Sequence, residues 1–384
     1  MTTYSKDFWR LSFSMLFFMT SFNLILPEMN EYITRIGGAD KKGLIITLFT
    51  ISAAISRPFS GKLSDMIGRK KVMLFGIIIS ILVCLLYPLF SIVTYFLLLR
   101  FIHGFSNGFM PTGATALITD LLPDNKRGQG MGIWGTFISI GIGIGQSSGF
   151  IVMKYFSYNE LFWLSSILST ISLLLLFPIK ETLTNKQKFR VQFLKIQWRD
   201  VIEPSVLPAF IVMFLTSSCS GIIFVLSPDF SNFLHIENKG WFFIFYVFST
   251  IIIRLFTSKL SDKIGREVTL IIGVVVLFSS MIVLFISSSI LVYTLASILF
   301  GIATGIISPG IFAWIADLAP ITRRGVASGT LFIGLELGVM FGSFLTLSLY
   351  SNTLISLHNV FFVSIFFPII SFIYLFWKII KKRR

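Results

Sequence analysis

Residues 61–70 read Gly61-Lys62-Leu63-Ser64-Asp65-Met66-Ile67-Gly68-Arg69-Lys70, and residues 258–267 read Ser258-Lys259-Leu260-Ser261-Asp262-Lys263-Ile264-Gly265-Arg266-Glu267. The second stretch stands 197 residues after the first, with Ser258 in place of the leading glycine. Working outward, Arg57/Arg254, Gly104/Gly301, Gly108/Gly305, Asp120/Asp317, Pro123/Pro320, Gly128/Gly325, Gly132/Gly329, Gly141/Gly338 and Gly145/Gly342 keep the same offset. A register held this far is the signature of an internal duplication. Pro27-Glu28 matches Pro228-Asp229 at an offset of 201, so the connection after the first apolar run is four residues longer than its counterpart. The chain therefore divides into halves at 1–180 and 205–384, joined by a basic segment at 181–204.

The surroundings of both copies are apolar. Of 384 residues, 55 % are hydrophobic and 13 % charged, against roughly 25 % charged in an ordinary soluble domain. Charge, Gly and Pro delimit twelve apolar runs near 8–27, 44–60, 72–90, 92–118, 130–153, 161–179, 205–227, 241–257, 268–288, 290–316, 328–350 and 358–377. Each is near the ~20 residues that cross a bilayer, and backbone facing lipid must be helical or in a closed barrel. The predicted fold is all-α and integral to the membrane, with twelve transmembrane helices in two pseudo-symmetric six-helix halves. It leaves no room for a sizeable soluble catalytic module. Lys6 and Arg10 flank the first run as in a signal peptide, but no small-residue cleavage site follows, so it is read as a retained span.

The net charge of +15 would suggest nucleic acid in a soluble protein, but here its placement decides. Of the 32 basic residues, 24 fall on the side of the termini, 5 on the opposite side, and Arg57, Arg100 and Arg254 inside spans. The positive-inside rule then places both termini in the cytoplasm of a multi-pass protein of the cell membrane, with no nucleic-acid partner. Cys84 and Cys219 lie inside apolar runs and read as packing residues; no metal site or cofactor is expected. The joining segment interleaves Lys180, Lys186, Lys188, Arg190, Lys195 and Arg199 with Phe189, Val191, Phe193 and Trp198. It reads as a linker lying on the anionic leaflet or, alternatively, as a regulatory docking site.

With its parallel six-span halves the sequence resembles the major facilitator superfamily, and Gly61–Lys70 is similar to that family's signature loop between spans 2 and 3. The resemblance implies a conformational latch made by Gly61, Asp65, Gly68 and Arg69 with Asp262, Gly265 and Arg266. On chemistry alone, Asp65 can accept hydrogen bonds from a neighbouring helix N-terminus or pair with a base; the loop could instead serve only to set topology. Arg100-Phe101-Ile102-His103-Gly104 is similar to the family's second motif, linked to proton transfer. An arginine inside a span costs about 2.5–3.5 kcal/mol on insertion scales, so it faces a polar partner or snorkels. His103 is either a titrating carrier or a neutral hydrogen-bonded side chain. Glu336, the carboxylate nearest the middle of a span, completes the proton-coupling set of Arg100, His103 and Glu336, with electrostatic contact between Arg100 and Glu336 as the expectation.

The run Gly141-Ile142-Gly143-Ile144-Gly145-Gln146-Ser147-Ser148-Gly149 looks like the family's antiporter motif, with Gln146 where that motif has proline. Gly141, Gly145 and Gly149, with Gly338 and Gly342 in span 11, are read equally as helix-packing positions. Asn23-Leu24-Ile25-Leu26-Pro27 is similar to a segment that opens with an acid in many drug exporters, and Pro178-Ile179-Lys180-Glu181-Thr182 to the exit motif after span 6. Spans 1, 4, 7 and 10 line the cavity in this family, which assigns Asn23, Asn107, Thr112, Thr115, Ser217, Ser218, Thr304 and Ser308 to a substrate cavity.

The reading is a secondary transporter of a small organic solute working by alternating access, with proton-coupled efflux ahead of proton-coupled uptake of a sugar or organic acid. Its expected partners are that solute, protons and the lipid bilayer, and two halves suffice to enclose a cavity in a monomer. A non-transporting receptor on the same fold is a further alternative. The histidines His103, His235 and His358 are scattered, and neither H-E-x-x-H nor a P-loop occurs, so an enzyme is not expected.

Overall fold

The computed structural model describes residues 4–38, 41–89, 91–236, 240–257, 260–351 and 353–383. Among them there is no strand, and twelve long helical segments carry the chain. We number them α1 (Lys6–Ile25), α2 (Lys42–Ile67), α3 (Arg69–Leu86), α4 (Val93–Leu121), α5 (Arg127–Tyr155), α6 (Tyr158–Leu176), α7 (Leu207–Phe233), α8 (Trp241–Thr257), α9 (Arg266–Phe285), α10 (Ile290–Leu318), α11 (Arg324–Leu349) and α12, which runs as Leu354–Ser364 and Phe366–Arg383. Every apolar run of the sequence thus corresponds to one helix, or for 358–377 to the two consecutive helices of α12, with ends that differ by a few residues.

Ten of these segments are long and apolar enough to cross a membrane by length and composition alone. The two others depart for separate reasons. α8 is short, with its apolar part at Trp241–Arg254. α4 has ample length, 29 residues, but carries Arg100, His103 and Asn107 along its middle. Large apolar side chains such as Phe75, Leu82, Phe248 and Phe344 point outward and are exposed, the reverse of a soluble surface and what a lipid solvent requires.

The chain forms two compact units. One holds Met1–Pro123, Phe137–Pro204 and Ala319–Phe332; the other holds Asp124–Thr136, Ser205–Leu318 and Ile333–Arg384. Each unit therefore contains the start of one helix, α11 or α5, whose remainder belongs to the other unit. Within the first, α4 packs along α2 and α3, and α6 along α1 and α3; within the second, α10 packs along α8 and α9, and α12 along α9 and α7. The duplicated sequence has thus produced duplicated packing.

Glycine enforces part of that packing. A Cβ on Gly141, Gly145 or Gly149 would come within 2.5, 2.7 and 2.6 Å of the carbonyl oxygens of Leu16, Thr20 and Leu24. Gly338 and Gly342 meet Phe214 and Ser218 carbonyls at 2.4 and 2.0 Å. α5 lies against α1 as α11 lies against α7, at a separation only glycine allows. Because the second pair has the same geometry without an antiporter signature, close packing accounts for the glycines of both.

Candidate functional site

The signature loop joins α2 to α3. Gly68 turns at φ +116° and Gly265, its repeat partner, at φ +90°, a conformation that side chains other than glycine rarely adopt. Beyond each turn the carboxylate of the loop is committed to a helix start. Asp65 accepts from the backbone N–H groups of Gly325 (2.7 Å) and Val326 (2.9 Å), and Asp262 from those of Gly128 and Gln129 (both 2.8 Å). These are first-turn amides of α11 and α5, donors with no partner inside their own helices. Each aspartate also pairs with the arginine four residues on, Asp65 with Arg69 at 3.0 Å and Asp262 with Arg266 at 2.6 Å. Both chemical options open to Asp65 on sequence are therefore used together. A Cβ on Gly61 would lie 3.0 Å from the Gly325 carbonyl oxygen, which explains the leading glycine; its counterpart Ser258 and the adjacent Lys259 lie outside the described residues.

Other charges join this loop. Asp120 accepts from Arg69 (3.2 Å) and Arg324 (2.5 Å), and its repeat partner Asp317 accepts from Arg266 (2.7 Å) and Arg127 (2.9 Å). Glu181 of the exit motif caps α3 by accepting from the amides of Arg69 (3.1 Å) and Lys70 (3.0 Å), while Thr182 donates to Asp120. In the first unit the linker adds Lys62 to Asp200 (2.8 Å), Arg323 to Glu203, Arg323 to the Arg199 carbonyl (2.5 Å), and the Glu203 amide to Thr330 Oγ1 (2.9 Å). A cavity of about 330 Å³ lined by Lys62, Asp65, Arg199, Asp200 and Arg323 opens beside them. Burial raises the Asp200 carboxyl, but the Lys62 hydrogen bond, the Gln197 amide and the charges of Lys62 and Arg199 outweigh it and hold the group below its ordinary 3.8. Sequence reasoning passed over Asp120, Asp317, Arg127, Arg324, Asp200, Glu203 and Arg323 as functional residues. The signal was present in the shared register of Asp120 with Asp317 and of Lys126-Arg127 with Arg323-Arg324.

Inside the membrane, Arg100 is 0 % exposed. Its Nε donates to the Ile45 carbonyl at 3.3 Å and its guanidinium lies 4.7 Å over the Phe49 ring, while Nη1 and Nη2 make no hydrogen bond. Among the described residues no carboxylate pairs with it; its neighbours are backbone, ring and hydroxyl. Glu336 is 6 % exposed, at the middle of α11. His103, one turn from Arg100, places Nδ1 3.1 Å from the Tyr87 hydroxyl and Nε2 3.4 Å from Ser80 Oγ. Ser80 continues to Ser169 (3.0 Å), Ser169 to Ser21 (2.7 Å) and Ser21 to Ser165 (2.9 Å), a buried chain of hydroxyls joining α3, α6 and α1. Ser165, Ser169 and Ser172 share one face of α6, a stripe that was readable from spacing alone.

Of the residues assigned to a substrate cavity, Asn23, Asn107, Thr112 and Thr115 belong to the first unit and Ser217, Ser218, Thr304 and Ser308 to the second. Thr112 accepts from Arg57 Nη1 at 2.9 Å and donates to the Gly108 carbonyl. Thr115, Ser217, Ser218 and Thr304 turn their hydroxyls back to carbonyls four residues earlier on their own helices. Asn23 bonds the Met19 carbonyl and Gln146. Asn107 and Ser308 are partly exposed and make no side-chain hydrogen bond among the described residues. Gly104-Phe105-Ser106-Asn107-Gly108 spells the G-x-S-x-G of a nucleophile elbow, yet Ser106 is buried inside α4 and donates to the His103 carbonyl at 2.7 Å. It sits on no strand-to-helix turn, and the pattern here carries no nucleophile. Among the described residues no group of His, Cys, Asp or Glu could hold a metal ion.

Duplicated six-helix packing with carboxylate-capped starts of α5 and α11 defines a class, the membrane transporters built from two related helical bundles. The chain belongs to the Major Facilitator Superfamily, which it matches over residues 11–240 and 237–384. It is a multi-pass membrane transporter and not an enzyme. It is 26 % identical to multidrug resistance protein 2 of Bacillus subtilis (strain 168) over 336 residues, 83 % of this chain and 82 % of that protein. It is 28 % identical to quinolone resistance protein NorA of Staphylococcus aureus (strain MRSA252) over 212 residues, about half of each (53 % and 54 %). Two solved structures share the fold. The human organic anion transporter MFSD10 (TETRAN) superposes with a TM-score of 0.78 at 19 % identity, covering 96 % of this chain and 99 % of that one. The proton:xylose symporter XylE bound to 6-bromo-6-deoxy-D-glucose gives 0.81 at 14 %, covering 97 % and 95 %.

Proposed function

We propose that this transporter exports small amphipathic organic molecules in exchange for protons, as a monomer with both termini in the cytoplasm. The observation that carries the coupling is Glu336, a carboxylate almost fully buried at the middle of α11. A charge is expensive there, so gaining or losing a proton changes the energy of whatever state exposes it. Arg100 supplies a fixed cation in the other unit, and His103 with its hydroxyl chain supplies polar contacts without a second acid. Direction is supported by the similarity to multidrug resistance protein 2 along most of both chains. The solute sites proposed from sequence remain Asn23, Asn107, Thr112, Thr115, Ser217, Ser218, Thr304 and Ser308, of which Asn107 and Ser308 have free polar atoms to offer. Asp65 with Arg69, and Asp262 with Arg266, serve as latches released and remade in each cycle.

Vesicles with an imposed pH gradient test the reading. In inverted vesicles acidified inside, a dye or quinolone substrate should accumulate, and a protonophore should discharge it. Accumulation only in right-side-out vesicles, with protons and solute entering together, would replace export by uptake.

A further inference from the structure

The linker has two faces, and the latch uses one of them. Its inner face is bonded to the first unit through Lys62 to the Lys195 carbonyl (2.7 Å), Lys62 to Asp200, Arg323 to Glu203 and the Gln187 amide to the Met66 carbonyl (2.8 Å). Phe193 is buried with Leu63, Ile67, Val72 and Phe109. These contacts hold the backbone in place and so fix what faces outward. Outward stand Phe189, Leu194, Val191 at 75 % exposure and Trp198 at 78 %. Around them Lys186, Lys188, Arg190 and Lys195 are exposed, and none makes an ion pair among the described residues. From Thr182 to Arg199 the sequence holds no acid.

We propose that this outer face docks on the anionic lipid of the leaflet beside it. Apolar and aromatic side chains at this density, fixed outward in a segment that is not itself a span, suit the interfacial zone, where Trp and Phe bury rings while bases meet headgroup phosphates. A uniformly positive rim selects a negatively charged lipid surface over a zwitterionic one. The proposal rests on the cytoplasmic placement of the linker, where the anionic leaflet lies.

The test uses the full-length protein with Val191→Cys carrying a bimane fluorophore, since Cys84 and Cys219 are both buried. It is reconstituted in phosphatidylcholine with or without phosphatidylglycerol. Nitroxide-labelled lipid should quench the probe in the vesicles containing phosphatidylglycerol, and high salt should reverse this. In Lys186→Gln/Lys188→Gln/Arg190→Gln/Lys195→Gln the quenching should be lost, each removed charge lowering the docked-to-free ratio about fivefold. Quenching by aqueous iodide and not by lipid in both vesicles would overturn the proposal. So would lipid quenching that ignores both phosphatidylglycerol and the four substitutions. Reaction of the same cysteine with an impermeant maleimide on intact cells reports sidedness separately, and neither readout depends on substrate or coupling ion.

Discussion

At the scale of single residues, the chain spends buried charge sparingly. Arg57 is satisfied by Thr112, the Gly108 carbonyl and the Phe332 ring 4.2 Å away, and Arg254 reaches the Gly135 carbonyl. Ser297 stands where Arg100 would be repeated, and its hydroxyl donates to the Phe242 carbonyl. Glu336 likewise has no acidic counterpart, since Ser139 occupies its place. Glu336→Gln should abolish solute transport driven by a pH gradient while leaving equilibrium solute binding unchanged; retained coupling in gradient-loaded vesicles would remove the carboxylate from the mechanism. The pairing of Arg100 with Glu336 was expected because each is the odd charge of its half. Within its own unit Arg100 meets the Ile45 carbonyl and the Phe49 ring, partners that no charge pattern advertises.

At the scale of helices, period and spacing made almost everything legible, because lipid allows only one backbone solution. Only α8, by its shortness, and α4, by its polar residues Arg100, His103 and Asn107, fall outside the simple criterion of length and apolarity. Ser, Thr and Gly were less readable, since the same letters serve packing, self-capping and solute contact. The hydroxyls of Thr115 and Ser218, for example, donate to carbonyls of their own helices, which leaves their oxygens to accept from a solute. The glycine contacts predict steric failure. Gly141→Leu and Gly338→Leu force a side chain into a neighbouring backbone, and each should cost about 1–3 kcal/mol, read as a lowered unfolding temperature in detergent. Ser21→Ala removes bonds to Ser165 and Ser169 and should cost about 0.6–1.7 kcal/mol, the range for hydrogen bonds between membrane helices, with transport otherwise intact.

At the scale of the whole molecule, duplication was plain in the register of Asp65 with Asp262, but what each aspartate touches was not. Its partners are backbone amides 260 and 134 positions away, and amides have no letter code. Asp65→Asn/Asp262→Asn should keep solute binding and lose counterflow at least tenfold, as expected when two caps worth about 1–2 kcal/mol each are weakened. A receptor on this fold would instead keep its response. The linker makes the two signature loops unequal, and its pH response follows from Asp200. A carboxyl held below 3.8 contributes to docking fully above about pH 4 and loses that contribution only as pH falls through its lowered value. Amide exchange at residues 195–204 should thus be equally protected from pH 8 to pH 5, and Asp200→Asn should lower the protection throughout that range.

Arg100 carries one more consequence. A permanent positive charge inside α4, with no carboxylate paired to it among the described residues, sits in the electric field of an energised membrane. Any part of the cycle that shifts it along the membrane normal performs electrical work, up to about 2.3 kcal/mol for a full crossing at 100 mV. The turnover rate of this protein should then respond to voltage even when the concentrations of solute and protons are equal on both sides.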